Sequence, residues 1–225
     1  MSCYVYAFVN LPKSSLALPK GMKQEVELIA DQNLAAITEA DISIEAIQET
    51  DEKLLQAVLT HDRVIREIFQ QTPLIPLRFG NAFAAVENII NHLQNYQQQY
   101  LTILAQLQEK VEYTVSFSPV SPPSSLEISD ARGKAYLLAK KQQFQQQQAF
   151  QTEQRQQWEK ICPLILKEYP KAVCKDSTQE KTKQVHLLAN REVEVLTTQQ
   201  LPTWQAECSY WQISLSEPLP PYHFV

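Results

Sequence analysis

The residue types best suited to chemistry in this chain lie between positions 61 and 80. His61 is followed directly by Asp62, and these two residue types together can perform acid–base chemistry. Adjacent residues on a helix do not face each other, so this pair is not a catalytic dyad by itself. Three roles stay open for His61: a structural or capping role, acid–base catalysis, and a polar contact to the loop that carries Arg78.

Arg78 is the most informative charge in the chain because it stands between apolar neighbours in the segment 77–80, Leu-Arg-Phe-Gly. A guanidinium in such surroundings needs hydrogen-bond partners, so we expect an internal bond from Arg78 to a carboxylate or a carbonyl. Anion or substrate binding and a contact with a partner are the alternatives. Gly80 is one of three glycines and is predicted to permit the turn from a strand into a helix.

Recognised catalytic signatures are missing from the sequence. It contains no Gly-x-Ser-x-Gly, P-loop or His-Glu-x-x-His motif. The four cysteines form no Cys-x-x-Cys pair, no histidine follows at zinc-finger spacing, and reduced intracellular thiols are the expected state. The sequence therefore predicts a protein that is not an enzyme and that has no catalytic residue, metal or cofactor. The three tryptophans are expected to be core anchors: Trp158, Trp204 and Trp211.

Composition excludes several classes of partner. A formal net charge of −5 and a pI near 5.5 leave no basic surface for nucleic acid or for an anionic membrane. No uncharged apolar run approaches roughly 18 residues, and the start of the sequence lacks the pattern of a signal peptide. We therefore expect a soluble, cytoplasmic protein without a nucleic-acid or lipid-membrane partner.

The elements that must position these residues follow from hydrophobic periodicity. An aromatic and β-branched run over 4–9 predicts a buried strand, and 25–30 with 34–38 predicts a hairpin, with a helix over 23–38 as the competing interpretation. A helix is predicted from Asp51, capped by Thr50 or Asp51. The remaining first-half elements are predicted as a strand over 74–79, a helix over 81–108 and a half-buried strand over 110–117.

A Pro/Ser-rich stretch suggests how the chain divides. We predict a domain over 1–118, a linker over 119–127 and a second domain over 128–225. Two helices on one face of an antiparallel-rich sheet indicate an α+β fold, with a modified ferredoxin-like arrangement in the first domain.

The second half is predicted to contain a long helix that reaches about residue 169 and has a solvated, glutamine-rich middle. Strands are predicted over 171–175, 185–189 and 207–215, with a helical stretch over 192–205 that Pro202 disturbs. The proline-rich tail over 217–225 is expected in polyproline II conformation, packed back on the body.

Several motifs, taken in order, resemble the gas vesicle proteins of the GvpF/GvpL family, and most closely its F-type members. They are Tyr4-Val5-Tyr6, the helix with His61 and Val64, Leu77-Arg78-Phe79-Gly80, Val111-Glu112-Tyr113, Arg132-Gly133-Lys134-Ala135-Tyr136-Leu137 and Pro220-Pro221-Tyr222-His223-Phe224. Two departures stand out: Glu217-Pro218-Leu219 replaces a usual glycine, and the strand after Val185 is less apolar than in the family.

The resemblance implies a minor structural or assembly component of the gas vesicle that supports buoyancy. Its partners would be the small hydrophobic major shell protein, which is GvpA-like, and other gas vesicle accessory proteins. It would lie at the vesicle shell, with the gas-facing side as a candidate location. A chaperone-like adaptor that is not retained in the vesicle is the alternative. The structural or interaction candidates are His61, Arg78, Phe79, Gly80, Tyr222 and Phe224.

Overall fold

A computed structural model of the chain describes residues 2–121, 133–175, 182–192 and 196–225. The fold is α+β, with antiparallel strand pairing and one long helix. The chain forms two compact units: the first comprises residues 1–112, 189–191 and 218–225, and the second comprises 113–188 and 192–217. Among the helices in these described ranges, none has the length and apolar character that a membrane span requires.

The first unit is built around a strand that is buried along nearly its whole length. Strand β1 (Cys3–Asn10) lies between β3 (Leu34–Ala40) and β4 (Leu74–Pro76), and both pairings are antiparallel. Strand β2 (Glu27–Asp31) pairs with β3, and the short β5 (Ala82–Phe83) pairs with β1. The aromatic and β-branched side chains of β1 suit this central position because they pack well on a pleated surface.

Helices complete the first unit. They are α1 (Ile44–Ile47), α2 (Asp51–Phe69) and α3 (Val86–Leu107). At the start of α2, the Thr50 hydroxyl accepts a hydrogen bond from the Lys53 amide. Two acidic residues in the first turn interact favourably with the positive end of the helix dipole. The fully buried core side chains of this unit include Tyr4, Tyr6, Phe8, Leu34, Ile37, Ile65, Ile68, Leu74, Ile89 and Leu93.

The second unit contains a sheet with strand order β7-β8-β6-β9. Its strands are β6 (Lys110–Pro119), β7 (Val173–Lys175), β8 (Lys183–Asn190) and β9 (Trp211–Leu215), and its helices are α4 (Lys134–Glu168), a π-helical segment (Leu196–Gln200) and α5 (Leu201–Glu207). Trp158, Trp204 and Trp211 are buried, which confirms their predicted role in the core. The glutamine-rich middle of α4 is largely exposed, also as predicted.

Several predicted boundaries differ from the structure. The strand predicted over 74–79 stops at Pro76, and the helix predicted over 81–108 starts only at Val86, because β5 intervenes and pairs with β1. The strand predicted over 207–215 starts at Trp211, because α5 extends through Glu207. Pro202 lies in the first turn of α5, where a missing amide hydrogen is tolerated.

Two larger differences concern the domains. The predicted first domain runs to residue 118, whereas the first unit ends at Glu112, within β6, and the later part of β6 pairs with β9 in the second sheet. The residues Pro218–Val225 were placed in the second domain, whereas they belong to the first unit. The predicted linker over 119–127 lies outside the described residues from position 122 onward. The ferredoxin-like character of the first domain stays a prediction.

Candidate functional site

A chain of hydrogen bonds joins the first strand, the second helix and the loop after β4. The His61 Nδ1 atom lies 2.8 Å from the Tyr4 hydroxyl, and its Nε2 atom lies 3.0 Å from the Leu77 carbonyl oxygen. The Gly80 amide donates to the Tyr4 hydroxyl at 3.2 Å. Three of the segments in the family-like motifs therefore meet at one buried tyrosine.

The protonation of His61 follows from these partners. The Leu77 carbonyl can only accept, so Nε2 carries the proton that it receives. In a neutral ring Nδ1 is then an acceptor, so the Tyr4 hydroxyl donates to it. Burial lowers the pKa of His61 below 6.5, against opposing effects of the Leu77 carbonyl and Asp62. Burial also raises the pKa of Tyr4 to about 12, which keeps its hydroxyl protonated.

Aromatic packing encloses this hydrogen-bonded centre. The ring of Phe79 lies 5.7 Å from that of His61 and 6.1 Å from that of Tyr4, measured between centroids. The Tyr6 ring stacks on His61 at 5.4 Å. His61, Phe79 and Gly80, three of the predicted site residues, are thus brought together in a structural joint with no exposed reactive group.

A second buried polar group fastens the loop before β2. The carboxylate of Glu39 accepts hydrogen bonds from the Tyr6 hydroxyl at 2.6 Å and from the amides of Met22, Lys23 and Gln24 at 2.6–2.9 Å. Burial, with the Glu39 carboxylate adding to it, raises the pKa of Tyr6 well above its usual range. Glu39 was not singled out from the sequence. The available signal was a carboxylate inside the apolar run of β3.

Arg78 does not make the internal bond that its neighbours suggested. Its side chain is exposed, and its guanidinium makes no hydrogen bond or ion pair within the described ranges. The loop after β4 turns Arg78 outward while Phe79 points to His61, so water can satisfy the guanidinium. The expectation of an internal bond is therefore wrong, and the Arg78 side chain takes no part in the hydrogen bonds around His61.

The C-terminal tail places the last two predicted residues on the first unit. Burial raises the pKa of Tyr222, with further contributions from Asp62 and Tyr4 and an opposing one from Arg66. Tyr222 therefore lies beside Asp62 and Arg66 of α2. Pro220 and Pro221 are buried, and Tyr222 and Phe224 are half-buried. The tail packs back as predicted.

The conformation of the tail differs from the predicted polyproline II because local turns form. The amide of Tyr222 donates to the Pro220 carbonyl, and that of Phe224 donates to the Pro221 carbonyl.

One buried carboxylate anchors this tail. Glu112 accepts from the backbone amide of His223 at 3.0 Å and lies 2.6 Å from its Nδ1 atom. The backbones of Glu112 and Leu219 also exchange two hydrogen bonds, at 2.8 and 2.9 Å. These bonds hold the tail beside the start of β6, a contact that no local sequence pattern predicted.

The outer face of α2 carries an apolar stripe. Leu55, Val58 and Leu59 are exposed by 57%, 38% and 55%. They are spaced at i, i+3 and i+4 and share one face, which continues to Asp62 and Arg66, an ion pair with a 2.6 Å contact. We call Leu55, Val58 and Leu59 the α2 stripe. On the opposite side of the helix lie the buried residues Ala57, His61, Val64 and Ile68.

A cavity of about 470 Å³ opens between α1 and α2, and neither His61 nor Arg78 lines it. Its walls include apolar side chains from both helices, among them Ile47 and Ala57. The cavity therefore offers no support for acid–base chemistry by His61 or for anion binding by Arg78.

Comparisons with known proteins agree with the resemblance to the GvpF/GvpL family. The chain matches the family model described as "Gas vesicle synthesis protein GvpL/GvpF" over residues 2–225. No curated protein sequence matches it significantly.

Two crystal structures share its fold. The gas vesicle protein GvpF from Anabaena sp. PCC7120 is 16% identical, with a TM-score of 0.70 over 99% of this chain and 95% of that one. GvpF from Microcystis aeruginosa is 14% identical, with a TM-score of 0.69 over 99% of this chain and 98% of that one. At such identities the likeness establishes the fold, and membership rests on the match to the family model along nearly the whole sequence. The chain belongs to the GvpL/GvpF family of gas vesicle synthesis proteins.

Proposed function

We propose that this protein is a minor structural and assembly component of the gas vesicle that contacts the small, hydrophobic major shell subunit while the shell forms. The observation that carries the proposal is the α2 stripe, a set of large aliphatic side chains exposed on a helix whose opposite face is buried. Exposed apolar patches on a compact unit are typical of protein interaction sites. An apolar shell subunit offers the complementary chemistry.

The buried hydrogen bonds around Tyr4 fix the orientation of α2, and with it the direction in which the α2 stripe faces. Because His61 bonds both to β1 and to the loop after β4, α2 cannot rotate about its axis without breaking these bonds. Leu55 and Leu59 are therefore presented outward without a conformational change. Such preorganisation lowers the entropic cost of binding.

Charged and aromatic groups flank the stripe and complete the proposed surface. The Asp62–Arg66 pair lies one turn further along α2, and Tyr222 of the tail packs beside it. Exposed Arg78 and half-buried Phe224 are proposed as further partner contacts. The edge strand β2 is a weaker candidate because Gln94 of α3 bonds to Asp31 at its end.

Co-purification with the shell subunit tests the proposal. Tagged chain and shell subunit are co-expressed, and the shell subunit recovered per chain is measured by quantitative mass spectrometry. We expect the double variant L55D/L59D to reduce recovery at least about tenfold, the factor produced by about 1.4 kcal/mol of lost binding free energy. Circular dichroism and thermal melting establish that the variant remains folded.

The chain offers a matched control for that variant. Leu137 and Leu138 of α4 are exposed by 67% and 58%, so L137D/L138D makes the same change at a similarly exposed site in the other unit. This control should leave recovery unchanged. Equal recovery with L55D/L59D and wild type would overturn the proposed surface, and equal loss in both variants would show only nonspecific apolar association.

Retention in finished vesicles distinguishes the structural component from a chaperone-like adaptor. Purified vesicles are washed stringently and probed by immunoblotting. A structural component stays with the shell, whereas loss of the protein on washing would favour the adaptor. Crosslinking on intact vesicles then determines which face of the shell is occupied.

A ligand-binding or catalytic role for His61 and Arg78 has little geometric support. Both ring nitrogens of His61 are engaged in the interior, and Arg78 projects outward. We expect Arg78→Met to preserve folding and vesicle formation. Abolished vesicle formation by a folded R78M variant, with R78K restoring it, would instead indicate a required cationic contact.

A further inference from the structure

Two of the four cysteines have adjacent side chains within the second unit. Cys162 lies near the C-terminal end of α4, Cys174 lies in β7, and their Sγ atoms are 2.8 Å apart. A covalent S–S bond is about 2.05 Å long, so a small displacement would bring the sulfurs to bonding distance. Both side chains are only half-buried, which leaves room for a small reagent to approach.

The other two cysteines are in a different situation. Cys3 and Cys208 are buried, with exposed fractions of 4% and 0%. Burial raises the pKa of Cys208 to about 11 and also raises that of Cys3, which lowers their thiolate fractions. Since the thiolate is the reactive form, these two residues are protected from oxidation. The fold thus separates one accessible, adjacent pair from two sheltered thiols.

We propose that Cys162 and Cys174 form a modification site at which a peroxide converts the two thiols into an intramolecular disulfide. One sulfur, as a thiolate, attacks a peroxide oxygen and breaks the O–O bond; it becomes a sulfenic acid, and one water leaves. The second thiolate attacks that sulfenic sulfur, so that the S–S bond forms and its hydroxyl leaves as a second water. Two thiols and one hydrogen peroxide thereby give one disulfide and two waters. A reducing dithiol reverses the change by exchange.

The disulfide would act on the edge of the second sheet. Strand β7 is terminal in the order β7-β8-β6-β9, where Cys174 pairs with Val185 of β8. Joining Cys174 to Cys162 would fasten this short strand to the end of α4. In a reducing compartment such a bond is transient, which suits a redox-sensing site. The site is independent of the proposed contact with the shell subunit.

Peptide mapping of the full-length protein tests the site. Reduced protein is treated with hydrogen peroxide, quenched, alkylated with N-ethylmaleimide and digested with trypsin. The two cysteines fall in the tryptic peptides 161–167 and 172–175. We expect these peptides to be recovered as one disulfide-linked species, and the intact mass to fall by two hydrogen atoms. Dithiothreitol should restore both alkylated peptides.

Variants make the assignment specific. The single variants C162S and C174S should lose the linked species, and dimedone should then trap a sulfenic acid at the remaining cysteine. C3S/C208S should retain the linked species, and the wild-type map identifies the pair even if that variant folds poorly. Recovery of both alkylated peptides after oxidation, a disulfide to Cys3 or Cys208, or only intermolecular crosslinks would each overturn the proposal.

Discussion

At the scale of single residues, buried polar groups help to fix the arrangement of the first unit beside its apolar core. Glu39 is fully buried, and its two carboxylate oxygens accept four hydrogen bonds from one phenol and three backbone amides. A buried carboxylate is tolerated only with such complete pairing. Gly21 belongs to the same arrangement, because a Cβ there would collide with the Glu39 carboxylate.

Replacing Glu39 with Gln should destabilise the protein although the two side chains have almost the same size. One carboxylate oxygen becomes an NH2 group that faces hydrogen-bond donors, and we expect the unfolding free energy to fall by about 2–4 kcal/mol. Urea denaturation measures the loss. Glu27→Gln, at an exposed position of β2, is the control and should change stability by less than about 0.5 kcal/mol. Similar effects of the two substitutions would contradict this role of Glu39.

His61 should make stability depend on pH. Its pKa is lowered by burial, so the unfolded chain, with a pKa near 6.5, binds the proton more readily than the folded chain does. Above about pH 7, His61 is neutral in both states and the unfolding free energy has its full value. As the pH falls from 6.5 towards the lower pKa of the folded state, the unfolding free energy declines. Urea denaturation at pH 7.5 and 5.5 should show a smaller pH effect in H61N than in wild type. The other histidines are common to both proteins, so equal pH effects would refute the inference.

The joint around His61 was only partly predictable. The sequence left three roles open for His61 and predicted that Gly80 permits a turn from a strand into a helix, whereas the short strand β5 follows Gly80. Tyr4, which joins the two residues, lies 57 residues from His61 and 76 residues from Gly80. Such distant partners leave no local periodicity. Arg78 was misjudged because apolar neighbours in sequence do not imply an apolar environment when alternate residues of a turn point in opposite directions.

At the scale of elements, local signals located most helices and strands, and distant pairing decided their limits. Strand β4 ends at Pro76, which has no amide to donate, while the Leu77 amide still bonds to the Tyr6 carbonyl. Alternation correctly identified β6 as a half-buried strand. It could not say which sheet receives β6, because strand alternation is the same whichever partner the strand pairs with.

The start of α2 offers a test of helix capping. The Thr50 hydroxyl accepts from the Lys53 amide at 3.2 Å, and Thr50→Ala should lower the unfolding free energy by about 1 kcal/mol. The same change at Thr102, exposed within α3, removes no cap and should be neutral or slightly stabilising because alanine is the better helix former. Thermal and urea denaturation compare the two. A loss at Thr102 as large as that at Thr50 would contradict the assigned cap.

At the scale of the whole molecule, the first unit is assembled from distant parts of the chain. It combines residues 1–112 with 189–191 and with the tail Pro218–Val225. The sequence suggested a linear order of two domains, because a proline-rich stretch resembles a linker and a tail resembles an appendage. Neither pattern indicates that Glu112 and His223, which lie 111 positions apart, are joined by hydrogen bonds.

Removing residues 218–225 should therefore loosen the first unit rather than the second. The buried prolines and the half-buried aromatic residues suggest a loss of about 2–4 kcal/mol. Hydrogen–deuterium exchange should accelerate in peptides that contain Asp62–Arg66 and Glu112, while peptides from β9 serve as an internal control. Unchanged protection around α2, or equal acceleration in both units, would contradict the role of the tail.

The return of the tail to the first unit also bears on how the protein is made. A ribosome extends a chain by roughly 5–20 residues per second. His223, which lies 111 positions after Glu112, is therefore synthesised about 6–22 seconds after it. During that interval the whole of the second unit is made while α2 still lacks its tail. The nascent first unit thus carries an unfinished surface, with Asp62 and Arg66 uncovered beside the α2 stripe. Translation itself sets the earliest moment at which this surface takes its final form.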